Sequence, residues 1–225
     1  MEATEMLDAS RRLAEALAPG DLDETLERIT SAAVEVLPDV TWASITVKHA
    51  DDRLETFAHT DDALLRIDAA QYDLREGPCY ESAVDTVHVI APHLSTDGRF
   101  PRYGPIADDA GIRAQAGLRL FDTHRSTGAL NLYSATPGAF GDLGTLGELF
   151  AHQSAVALAY ARQVSQLQQA VETRQLIGQA VGVTMERYGL DEARSFGFLS
   201  RLSQDNNVKL REVAERLLEE VRRAE

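Results

Sequence analysis

Apolar residues recur through the first forty positions at intervals of three and four, the mark of one-sided helices. Met6, Leu7, Leu13 and Leu17 carry one such pattern across residues 2–18. Leu22, Leu26, Ile29, Ala33, Val34 and Leu37 carry a second across 21–37, with Pro19-Gly20 between them. Asp21 stands where the second helix needs an N-cap, Glu24 gives its first turn a negative charge, and Pro38 stops it. The period then changes. Thr41–Val47 is β-branched and aromatic, and Arg53–His59 follows the Asp51-Asp52 turn as a hairpin partner would. Val87–Ile90, Ala114–Phe121 and Ala129–Ser134 complete a set of about five strands, interleaved with helical stretches near 62–70, 78–85 and 103–110. Hairpins imply an antiparallel sheet, so an α+β domain is expected here.

From Asp142 to about Arg187 no proline intervenes and the helical spacing persists, which predicts one very long helix or two in near continuity. Within it Leu146, Phe150, Ala157, Tyr160, Val164, Leu167 and Val171 step by three and four, broken at Gln153 and later at Arg174, as in a heptad seam. The first half of this stretch suits both an amphipathic helix lying on the sheet and a dimer seam. Beyond Arg162, the run Gln163-Val164-Ser165-Gln166-Leu167-Gln168-Gln169 is too polar for a core and favours a narrow two-helix seam between two copies. The last fifty residues hold three helical segments: one from about Thr173 to Arg187, with Gly189 as its stop; one from about Asp191 to Gln204; and one starting near Asn207, a good N-cap.

Charge separates the two parts. The net charge is −14, yet residues 171–225 hold nine Lys/Arg against ten Asp/Glu, so nearly all the negative excess lies before residue 171. An acidic front and a nearly neutral tail suggest two different tasks. No apolar run approaches the roughly 20 residues of a membrane span. With no export signal at Met1-Glu2-Ala3-Thr4-Glu5 and a single cysteine, Cys79, a cytoplasmic protein without disulfides is expected.

The segment Gln175-Leu176-Ile177-Gly178-Gln179-Ala180-Val181-Gly182-Val183-Thr184-Met185-Glu186-Arg187-Tyr188-Gly189, with Ala193, Phe196 and Leu199 and then Ser203-Gln204-Asp205-Asn206-Asn207-Val208-Lys209-Leu210-Arg211-Glu212-Val213-Ala214, resembles the ANTAR domain. The resemblance implies a three-helix module that binds paired RNA hairpins in a leader transcript and prevents termination. Many ANTAR domains carry a lysine where this chain has Val181, so a phosphate contact by that lysine does not carry over. Residues from about 21 to 162 resemble a GAF domain of the kind fused to ANTAR in actinobacteria. The resemblance rests on Glu76-Gly77-Pro78-Cys79, Asp97-Gly98-Arg99-Phe100-Pro101, Gly111-Ile112-Arg113 and Gly128-Ala129-Leu130-Asn131-Leu132-Tyr133-Ser134, with Phe140 after them. It implies a small-ligand pocket between sheet and helices, without naming the ligand. The organisation expected is a GAF sensor with N-terminal helices over 1–162, a helical coiled-coil linker over 163–172 and an ANTAR RNA-binding domain over 173–225. In this α+β architecture a long helix leads from the antiparallel sheet into an all-α three-helix end.

Candidate chemistry follows from that frame. Gly77-Pro78-Cys79 opens a helix and presents free N–H groups and a positive dipole end. Either an anionic ligand sits there, or Gly77 and Pro78 turn the chain and Cys79 fills the interior; a lowered thiol pKa would add redox sensing. Cys79, Tyr80, Phe100, Tyr103 and Arg113 are the pocket candidates. The histidines show no metal-ligand spacing, and no phosphate loop, nucleophile elbow or carboxylate pair marks an enzyme. In the tail, Arg187, Arg201, Lys209 and Arg211 are candidate phosphate contacts, and Gln179, Gln204, Asn206 and Asn207 candidate base readers. Arg216, Arg222 and Arg223 read as a solvated surface, with Glu212–Arg216 and Glu219–Arg223 spaced for local ion pairs. Two functions remain: a ligand-gated, homodimeric antiterminator binding RNA hairpins, or a module whose C-terminal helices bind a protein partner without RNA.

Overall fold

The computed structural model describes residues 21–85, 88–141 and 143–224, so the helix expected over 2–18 lies outside the described residues. The chain divides into two compact units between Arg162 and Gln163.

The first unit runs α1 (Leu22–Val36), β1 (Trp42–His49), β2 (Leu54–Phe57), α2 (Ala63–Leu74), α3 (Pro78–Val84), β3 (His88–Ala91), a 3-10 turn (Leu94–Thr96), α4 (Tyr103–Asp109), β4 (Ala114–Asp122) and β5 (Ser126–Ser134). Its five strands pair antiparallel in the order β2-β1-β5-β4-β3. Asp21 caps α1 as its sequence demands, with its Oδ1 accepting from the Glu24 amide at 2.8 Å.

Alternation along the strands produces two unlike faces. Ala43, Ile45 and Val47 of β1, Ala116 and Leu118 of β4, and Leu130 and Leu132 of β5 pack in one apolar core with Leu26, Ile29 and Ala33 of α1. Phe150 and Leu158, from the start of the long helix α5 (Gly144–Tyr188), complete that core. The residues between them in sequence, Ser44, Thr46, Gln115, Asn131 and Tyr133, point to the other face and are equally buried. That face is covered by α2, α3 and α4. The α3 backbone comes so near β4 that a Cβ on Gly117 would stand 2.6 Å from the Pro78 carbonyl oxygen, so a side chain there would force α3 off the sheet.

α5 is one continuous helix of 45 residues, which settles the choice between one helix and two. It stops at Gly189, whose φ is 61°. The second unit combines its C-terminal part with α6 (Glu192–Asp205) and α7 (Leu210–Ala224) around Ala180, Val181, Leu199 and Ala214. Val181, where many ANTAR domains have lysine, is therefore a core residue. Two expectations need correction. Phe150 is fully buried under the sheet, so it has no surface to offer a dimer seam. Asn207 does not cap the third helix. It takes a left-handed conformation (φ 52°) just past α6, where its amide bonds to the Gln204 carbonyl and the Val208 amide to the Ser203 carbonyl. This is a Schellman ending, and asparagine tolerates it better than most residues. The Leu146 side chain lies outside the described residues.

Candidate functional site

The covered polar face of the sheet is a hydrogen-bonded interior built around Asp68 of α2. Its carboxylate, with no exposed surface, accepts from Ser44 (2.9 Å), Thr56 (3.1 Å) and the Tyr133 hydroxyl, with Gln71 and Cys79 at 3.4 and 3.5 Å. Cys79 in turn meets the side-chain amides of Gln115 (2.8 Å) and Gln71 (3.0 Å) and the Tyr133 hydroxyl (3.1 Å). Tyr103 donates to Gln115 at 2.7 Å, and Asn131 donates to Ser44 and Thr46. Every donor to Asp68 is neutral. Burial therefore pushes its pKa up, and the hydrogen bonds from Tyr133, Ser44, Thr56 and Cys79 recover only part of that shift. Burial, followed by the nearby Asp68 carboxylate, also holds the Cys79 thiol far above its ordinary value. The lowered pKa that redox sensing requires is thus reversed in this fold, and the Cys79 amide is already committed to the Gln71 side-chain oxygen at 3.0 Å.

The family-like motifs serve as supports for this interior. Glu76 Oε1 accepts from the amides of Arg102 (2.7 Å) and Tyr103 (2.9 Å), fixing the start of α4, while Oε2 meets Arg102 Nε at 3.0 Å. Burial pushes against its ionisation, but these donors outweigh it and hold the carboxyl below its usual value. Arg99 grips Asp97 and donates to the Ile90 carbonyl at 2.6 Å. Gly77 has a φ of 123°, and a Cβ there would strike Gln71 at 2.3 Å, so glycine is required for the turn into α3.

Of the five pocket candidates, Cys79, Phe100 and Tyr103 are buried together in the second core of this unit. Tyr80 is half-buried, and Arg113 is directed to Asp108 at the surface. Space beside them is small. A crevice between Trp42, Leu64, Ile67 and Ile112 measures about 60 Å³, against roughly 300–1,000 Å³ for typical small-molecule sites. Sequence reasoning missed Asp68, Gln71, Ser44, Thr46, Gln115 and Asn131. For Ser44, Thr46, Gln115 and Asn131 the only signal was the polar phase of the strand alternation, which ordinarily means a solvent-facing surface, and Asp68 and Gln71 stand on a helix where polar positions read the same way.

In the second unit the RNA candidates are all exposed: Gln179 and Arg187 on α5, Arg201 and Gln204 on α6, Asn206, Asn207 and Lys209 between helices, and Arg211 on α7. Among the described residues Arg187, Arg201 and Lys209 form no ion pair, whereas Arg211 is held by Glu215 at 2.8 Å. Asn206 spends its amide on the Leu202 carbonyl at 2.8 Å. Sequence reasoning missed two aromatics beside them, Tyr188 and Phe198, which remain 56% and 37% exposed. An open apolar groove of about 800 Å³, with Ile177, Met185 and Phe196 in its lining, lies elsewhere on this unit. No helix of the described residues is long and apolar enough to cross a membrane.

Comparison with known proteins fits this division. Residues 20–159 match the GAF domain and residues 165–218 the ANTAR domain. The chain is 27% identical over 180 residues to the transcriptional regulatory protein PdtaR of Mycobacterium tuberculosis, covering 71% of this chain and 86% of that protein. Among solved structures, bacteriophytochrome RpBphP3 of R. palustris superposes with a TM-score of 0.60 at 13% identity, over 88% of this chain and 47% of that one. The GAF domain of an Acinetobacter phosphoenolpyruvate-protein phosphotransferase gives 0.52 at 16% identity, over 74% and 99%. These structural likenesses speak to the fold alone. The chain belongs to the GAF domain family and carries an ANTAR domain behind its GAF domain.

Proposed function

We propose that this protein is a signal-responsive regulator that binds RNA hairpins in leader transcripts and prevents transcription termination. The observation that carries this reading is the ANTAR match on a separate three-helix unit whose surface bears the cations Arg187, Arg201 and Lys209, which form no ion pair among the described residues. The relative described as a transcriptional regulatory protein supports the same class. The GAF unit is the sensor. Its polar interior is held by hydrogen bonds among its own side chains, and the signal acts by opening or re-pairing that network. Dimerisation along α5 then presents two RNA-binding modules, with residues 163–172 as the connecting seam; Leu167 and Val171 are 60% and 63% exposed there. Such a protein works in the cytoplasm and regulates rather than catalyses.

The test is filter binding of leader-derived hairpin RNAs at rising salt, since phosphate contacts release counterions and weaken steeply. Replacing Arg201, Lys209 and Arg211 together with alanine should remove most affinity, at about 1 kcal/mol for each charge-assisted contact. Arg211 should matter least because Glu215 already holds it. A second reading, favoured by the apolar groove beside Phe196, is a module that binds a protein partner without RNA. Salt-independent behaviour and no RNA affinity would decide for it.

A further inference from the structure

The last turn of α5, the second half of α6 and the middle of α7 enclose a groove of about 260 Å³ that the phosphate-contact assignment leaves unexplained. Tyr188 and Phe198 line it with ring centroids 5.7 Å apart and planes tilted by 48°, and neither ring is covered by the module's core. Arg187, Asn206, Arg216 and Glu220 share the lining. Arg187 and Arg216 form no ion pair among the described residues. On sequence spacing Glu212 was the expected partner of Arg216, yet the structure places Arg216 in this groove.

We propose that this groove receives one unstacked nucleobase of the bound RNA, a deepening of the RNA-binding reading on which it rests. Two exposed aromatic rings supply π-faces for a base turned out of its helix, the usual way single-stranded RNA is recognised. Size agrees, because the groove falls below the roughly 300–1,000 Å³ of drug-sized sites and suits one planar ring system. Charge separates a base from a phosphate. Glu220 disfavours an anion inside the groove and offers an acceptor to base N–H groups, whereas Arg187 and Arg216 serve the flanking phosphates or stack on the base.

The test uses the full chain and hairpin RNAs selected for binding to it from a pool with randomised loops. Failure to enrich any RNA removes the RNA reading itself, and the groove assignment with it. Given a binding hairpin, 2-aminopurine is placed at each loop position in turn, and at one position its fluorescence should change on binding. An abasic site at that position should weaken binding about tenfold, as should Tyr188→Ala or Phe198→Ala. Tyr188→Phe, which keeps the ring, should restore affinity. Both aromatics are exposed, so circular dichroism should not change. Binding that stays within about threefold for both alanine variants and for every abasic loop overturns the groove assignment while leaving RNA binding by the module intact.

Discussion

The two units spend their polar residues in opposite ways. In the GAF unit, polar side chains are drawn inside and bond to one another, so Asp68, Cys79, Gln71, Gln115 and Tyr133 form a buried network of neutral donors around one carboxyl, with Asn131 Oδ1 beside it left without a partner. In the ANTAR unit the core is thin, with Leu199 the only fully buried leucine among its described residues, and the cations and aromatics stand outside. The first arrangement suits a sensor, because a dense network in low dielectric changes state as a whole when one member is perturbed. The second suits a surface that must meet a polyanion, where charge is useful only if it is free. Four experiments break or sharpen that contrast.

The largest effect should come from Leu199→Ala. With so few buried neighbours, losing this side chain should destabilise the ANTAR unit by about 2–5 kcal/mol. Hydrogen exchange should show α6 and α7 losing protection while the GAF strands keep theirs; equal loss in both would mean that the units do not fold independently. Next is the seam. Val164→Lys with Leu167→Lys places charges on the half-buried and exposed apolar positions of the proposed seam, and sedimentation should show a dimer for the native chain and a monomer for the variant. A double variant that remains dimeric moves the interface off this helix.

A smaller effect is expected at Asp68, and its sign is fixed by the raised pKa. A carboxyl whose folded pKa lies above its unfolded value stabilises fully below the ordinary 3.8 and loses that contribution as pH rises through the raised value. Asp68→Asn, which stays neutral, should therefore gain stability over the native chain as pH rises above the ordinary 3.8. The two unfolding curves should converge in acid, and a gap that widens there reverses the assignment. Smallest is Cys79. Its buried, protonated thiol should react with iodoacetamide at least about tenfold more slowly in the native protein than in denaturant. Fast native labelling would show that the network opens readily.

Much of the architecture was legible in the chain. Asp21 and Pro38 bracket α1, Gly189 ends α5, and the switch from a period of 3.6 to one of two announces the sheet, because these signals depend on backbone chemistry within a few residues. Asn207 was misread for a related reason. An asparagine between two helices suits the start of one or the end of the other, and only the observed φ of 52° chooses the end. Arg211 looked the equal of Arg201 until its rotamer put it on Glu215.

What the sequence by itself determined was the order of elements, the Asp21 cap, the α+β front with its helical tail, and the exposed cations of the last fifty residues. Only tertiary structure decided that Ser44, Thr46, Gln115 and Asn131 lie inside rather than in water, since a strand's polar phase is the same whether solvent or another layer covers it. It alone chose the interior filler over the redox-active reading of Cys79, because a thiol's pKa follows its burial and the charge of a neighbour eleven residues away. It also brought Tyr188, Phe198 and Arg216 together from three helices, a meeting that no local spacing encodes.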